Sequence, residues 1–132
     1  MKYMSEAEQF IGLAEESLGD LESVEDVSDR MFWNSLYYSV FYSAKAALHS
    51  LGFEPKTHEG TDTLVGKILC VDEGFITREQ SKFYSRMRTT REEVDYNPLA
   101  SIEWNKEEMK EKAVNFIHDM KEIVEDQDNQ SS

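Results

Sequence analysis

No disulfide can form within this chain, because it holds a single cysteine, Cys70. One thiol also offers no zinc-ligand cluster. Cys70 lies in the apolar run Ile68, Leu69, Cys70, Val71 with no activating neighbour in sequence, so a buried, inert thiol is expected. Proline is scarce as well, at Pro55 and Pro98 only, which leaves long stretches open to helix. No apolar run approaches the ~20 residues that a bilayer crossing needs, and no signal peptide is recognisable, so a cytoplasmic protein without membrane contact is expected. No segment alternates apolar and polar residues as a half-buried strand does. Positive charge is the last shortage: 14 basic residues face 27 acidic ones, for a net charge of −13. That balance excludes a general affinity for nucleic acid or anionic membrane. Any polyanion has to be met locally. The acidity also suits a high-salt cytoplasm, a weak indication because ordinary helical surfaces share it.

What the sequence does contain is helical periodicity. With 132 residues it is long enough for one domain with a real core and too short for two. Ser5 and Glu8 have the spacing of a capping box, and Phe10, Leu13, Ala14, Leu18 and Leu21 recur behind them, predicting a helix over Ser5 to Glu22. The acidic stretch 23–28 breaks the pattern. Asp29 to Ser50 then runs without proline or glycine as the most apolar helix, closed by Gly52 as a left-handed C-cap. After the turn-rich FEPKTHEG, a third helix is expected from Glu59 or Thr61 to Val71. Thr77 with Gln80 caps a fourth helix that Pro98 stops, and Asn105 starts a fifth with Met109, Ala113, Phe116, Ile117, Met120 and Ile123 inward. The expected fold is an all-α antiparallel bundle of about five helices, an up-and-down four-helix core plus a short helix. It forms one domain over 1–125 with a disordered polar tail over 126–132.

The fourth helix reverses the local sign of charge. Five of the fourteen basic residues, Arg78, Lys82, Arg86, Arg88 and Arg91, fall within fourteen consecutive positions. Arg78, Lys82 and Arg86 share one helical face, and Ser81, Tyr84, Arg88, Arg91 and Asp95 share a neighbouring one. Phe83, Met87 and Val94 face the core. The bland account pairs these cations with acids of adjacent helices. The sharper one makes them a phosphate clamp, since an arginine held in place binds phosphate through two parallel N–H bonds. On the second helix Trp33, Tyr37, Tyr38, Phe41 and Tyr42 form two adjacent stripes, better suited to core and a dimer interface than to base stacking. His49, His58 and His118 are scattered, without the i, i+4 pairing of a helical metal site or a carboxylate–histidine motif, so no metal and no cofactor are expected. His58, in KTHEG, is expected to be exposed, as a turn residue that helps cap the third helix or as a contributor to nucleotide binding.

In order, YYxxF, AKAxL, LGxEPKTHxG and RxExDY, spread over Asp29 to Val124, resemble the small prokaryotic HEPN domain proteins. The resemblance implies a helical bundle that dimerises and is often encoded beside a minimal nucleotidyltransferase in a toxin–antitoxin arrangement. Active members carry an Arg-x4-6-His motif at the dimer cleft and cut RNA without metal. Arg91 matches the motif arginine, but Tyr96 stands where active members have histidine, as in the sub-branch with RxExDY. A tyrosine with an ordinary pKa near 10 exchanges protons poorly at neutral pH. Asn34 and Ser35 also stand where a basic residue is expected before the tyrosine pair. The implied site is therefore Arg91, Asp95 and Tyr96, with Arg86, Arg88, Arg91 and His58 holding RNA or nucleotide. Three functions stay open: a dimeric RNA- or nucleotide-binding module partnered by a nucleotidyltransferase; an RNase toxin using 2′-OH attack with Asp95 as base; and an interaction module without ligand.

Overall fold

A computed structural model describes residues 5–22, 27–97 and 99–130. Five helices follow in order: α1 (Glu6–Glu22), α2 (Asp29–Ser50), α3 (His58–Leu64), α4 (Arg78–Tyr96) and α5 (Lys106–Gln130). The described residues contain no strand, so the all-α expectation holds.

Helix α2 is the axis on which the others pack. Its two stripes of large residues bury Trp33, Leu36, Tyr37, Val40 and Leu48 almost completely against α1, α4 and α5. Burial of one such side chain stabilises by about 1.5–3 kcal/mol, so a helix that is apolar over most of its circumference belongs in the centre. Two serines are wholly buried on it without harm, because Ser39 Oγ donates to the Leu36 carbonyl at 2.6 Å and Ser43 Oγ to the Val40 carbonyl at 2.9 Å. Gly52 follows with φ +93°, the left-handed conformation expected of it. Ala113, Phe116, Ile117, Met120 and Ile123 of α5 are buried as the heptad-like spacing predicts. On α1 the buried line is Ala7, Ile11, Ala14 and Leu21, which leaves Leu13 exposed, so the apolar stripe is turned slightly from the expected one.

The ends of the helices follow their caps. Glu8 N–H donates to Ser5 Oγ, Met31 N–H to Ser28 Oγ, and Glu108 N–H to Asn105 Oδ1. Thr77 and Gln80 form the reciprocal capping box of α4. Pro98, expected to stop α4, and residues 23–26 of the expected acidic break lie outside the described residues.

Two expectations are corrected. The third helix is not uniform: α3 gives way at Val65 to a π-helical segment through Asp72, in which Val65, Ile68 and Leu69 are buried and Cys70 is only half-buried. The tail is also helical through Gln130, and only residues 131–132 lie outside the described part. Adding a residue to an existing helix costs far less than nucleating one, and nothing from Asp126 to Gln130 breaks it.

Candidate functional site

The packing of α4 across α2 and α3 places its second basic face against the aromatic stripe of α2. Arg91 sits at the centre. Its Nε lies 3.2 Å from Asp95 Oδ2 and donates weakly to Asn34 Oδ1 at 3.5 Å, while Nη2 donates to the Tyr38 hydroxyl at 3.3 Å. The guanidinium carbon lies 5.5 Å from the Tyr38 ring centroid and 5.8 Å from that of Tyr37. Three helical positions therefore fix one guanidinium, and 23% of its side-chain surface remains exposed. Asn34, which stands where a basic residue was expected, supplies an acceptor that a lysine or arginine would replace with repulsion. Asp95 spans two cations, since its Oδ1 lies 3.4 Å from Arg30 Nε. Both of its oxygens are thus engaged by guanidinium groups.

His58 is brought to the same rings from the other side. As the first residue of α3, held by Thr57 whose hydroxyl caps Gly60 N–H, it packs at 4.4 Å on Phe41 and at 5.6 and 5.9 Å on Tyr37 and Tyr38. Gly60 permits the cap, because a Cβ there would stand 2.9 Å from Thr57 Oγ1. Tyr37 Oη and His58 Nδ1 are 2.6 Å apart. His58 is half-buried, not the exposed turn residue expected; burial first, and then the charges of Arg91, Lys45 and Arg88, hold its pKa below the usual 6.5. Burial raises the pKa of the enclosed Tyr37 phenol well above 10.

Arg88 and Arg86 part company. Arg88 Nε donates to Asp62 Oδ2 at 2.7 Å, Asp62 Oδ1 accepts from Ser85 Oγ at 2.6 Å, and Glu92 lies 3.4 Å from Nη1. Its pKa is raised by the bond to Asp62 against the opposing effect of burial. This arginine is therefore largely spent on an internal pair, as the bland account held for the whole stripe. Arg86 points away from the cluster: its guanidinium stacks 4.2 Å over Trp104 and lines a groove of about 510 Å³ with Lys82 and Lys112. Tyr96, five residues beyond Arg91 and so roughly 140° around the helix, is 91% exposed. Tyr84, placed with the polar face by its spacing, is wholly buried against Tyr37 and Phe116.

The model of the HEPN domain matches residues 1–129. The chain belongs to the HEPN domain family. It is similar to a UPF0332 protein of Thermotoga maritima, 31% identical over 96 residues, which cover 70% of this chain and 70% of that protein. It is also similar to a UPF0332 protein of Pyrococcus horikoshii, 32% identical over 90 residues, 67% of this chain and 63% of that relative's length.

Within this HEPN domain, sequence reasoning named Arg88, Arg91, Asp95 and His58 but missed Asp62, Ser85 and Tyr37 as their holders. Asp62 stands one turn after His58, the only signal available. Acidic company for the histidines was missed too. His49 Nε2 lies 2.6 Å from Glu6 and its Nδ1 3.7 Å from Glu54, while His118 Nε2 lies 3.2 Å from Glu122 on the next turn, beside Asp119. Either cluster has ligand atoms close enough for one cation, but each joins one histidine to two carboxylates, with Asp119 half-buried and the rest of the carboxylates exposed, and their contacts serve equally as ion pairs.

Proposed function

We propose that this HEPN domain is a dimeric module that binds a phosphate of RNA or nucleotide at Arg91 and works with a minimal nucleotidyltransferase partner. The observation that carries the reading is the fixed guanidinium: Asp95, Asn34 and Tyr38 orient Arg91 and leave its remaining surface to solvent beside His58. A charged fork already held in place loses little entropy on taking an anion. In a chain of net charge −13, this focal cation is where a polyanion can approach. The dimer is supported by Met31, Tyr96 and Leu99, three exposed apolar side chains at the end where Arg30 meets Asp95. Tyr96, so exposed, is within reach of a modifying partner, which intact mass with and without that partner would detect.

The test is equilibrium binding of a short oligoribonucleotide to wild type and Arg91→Ala. Affinity should fall more than about tenfold on losing a charge-assisted bidentate contact; an unchanged value in a folded variant overturns the assignment. Light scattering at micromolar protein should give the mass of two chains.

A second reading, a metal-independent RNase, is favoured by one observation: His58 brings to the cluster an imidazole that α4 lacks. It predicts RNA cleavage in EDTA that disappears in Arg91→Ala.

A further inference from the structure

Resting on the phosphate-binding reading, we propose that Tyr37 is a positioning residue. It fixes the tautomer of His58 so that the imidazole Nε2–H stands beside Arg91 as a further donor to a phosphate oxygen.

The geometry rests on one short contact and on what surrounds it. Tyr37 is wholly buried, and its hydroxyl oxygen lies 2.6 Å from His58 Nδ1. A phenol enclosed in this way keeps its proton and has it to give; in the arrangement proposed, the O–H donates and Nδ1 accepts. A neutral imidazole carries one N–H, and with Nδ1 accepting it has to be at Nε2. Among the described residues Nε2 has no hydrogen-bond partner. The ring stays neutral because burial and three cations, Arg91, Lys45 and Arg88, oppose a further proton more than Glu92 favours it. Phe41, at 4.4 Å, keeps the imidazole from swinging away. Arg91 and His58 pack against the same pair of rings, Tyr37 and Tyr38, close enough for the arginine's charge to act on the imidazole. The combination suits a phosphate: Arg91 supplies the charge, and His58 adds direction without adding a cation that would repel its neighbour. Arg88 contributes less, because two carboxylates already balance its charge, Asp62 at 2.7 Å from Nε and Glu92 at 3.4 Å from Nη1.

The experiment uses the full chain, labelled with 15N, and two probes: AMP, for a terminal phosphate, and a short oligouridylate lacking terminal phosphates, for phosphodiesters. Near neutral pH the imidazole resonances of His58 should report the Nε2–H tautomer in the wild type and a mixture in Tyr37→Phe. Affinity for whichever probe binds should drop about tenfold in Tyr37→Phe and in His58→Ala, the scale of one hydrogen bond to a charged ligand. His58→Gln, whose amide N–H can occupy the place of Nε2–H, should retain most of the affinity, and this rescue separates positioning from a loss of packing. A wild-type Nδ1–H tautomer, or His58→Ala binding as tightly as wild type, overturns the inference. If Arg91→Ala abolishes binding while His58→Ala does not, the inference falls and the phosphate reading stands. If neither probe binds the wild type, both fall.

Discussion

Two faces of α4 carry arginines at nearly the same density, and they behave differently. On one, Arg88 and Arg91 turn inward across α2 and α3, and five neighbouring side chains, Asp62, Glu92, Asp95, Asn34 and Tyr38, determine where their nitrogens point. On the other, Arg86 lies over Trp104 at the rim of an open groove with Lys82 and Lys112. Charge is common to both faces. Orientation is not, and orientation decides whether an arginine recognises a phosphate geometry or merely attracts anions.

Substitutions can sharpen or break that contrast. The largest effect is expected for Asp62→Ala, which leaves the half-buried Arg88 without its 2.7 Å partner and Ser85 Oγ without its acceptor. Stability should fall by about 1.5–3 kcal/mol, the range for hydrogen bonds to charged groups, measured by urea unfolding; a change no larger than that of an ordinary surface substitution would put the inward face on a level with the outer one. A smaller loss, about 0.5–1 kcal/mol for an exposed cation–π contact, is expected for Trp104→Ala in the same assay, with oligoribonucleotide affinity unaltered. Weaker binding in that variant would move the site to the Arg86 groove.

The smallest effect concerns pH. Because His58 has a lowered pKa in the folded chain, the unfolded chain binds more protons than the folded one as pH drops through 6.5, so folding loses stability on acidification. The contribution is fully present above that value and is lost as pH falls through the folded pKa. In His58→Gln the acid-side decline of unfolding free energy should be shallower; identical slopes would show that His58 is as free to charge as in the unfolded chain.

The contrast between the faces was half legible in the sequence. Helical spacing separated Arg86 from Arg88 and Arg91, and it placed Phe83, Met87 and Val94 in the core, where they are. It could not show which helix would lie over each face. Tyr84 shares the register of Arg88 but falls where α4 meets α2 and α5, so its ring is enclosed while the arginine beside it reaches the edge. His58 was legible as a residue of interest and not in its setting, because its burial depends on Phe41 and Tyr37, more than a dozen residues earlier on another helix. Asp62, in a short helix with no charge pattern of its own, was invisible as the partner of Arg88. The helical end of α5 was missed for a different reason: composition alone marked 126–130 as tail, whereas the helix already formed behind it carries the pattern forward.

The most direct test of the central claim is a residue-resolved NMR titration of the wild-type protein with the short oligoribonucleotide, following the Nε–H signals of the arginines and the ring signals of His58. The account predicts saturable shifts at Arg91 and His58 with Arg86 unmoved. Shifts confined to Arg86 and the Trp104 indole, or none at any of these groups, would contradict it.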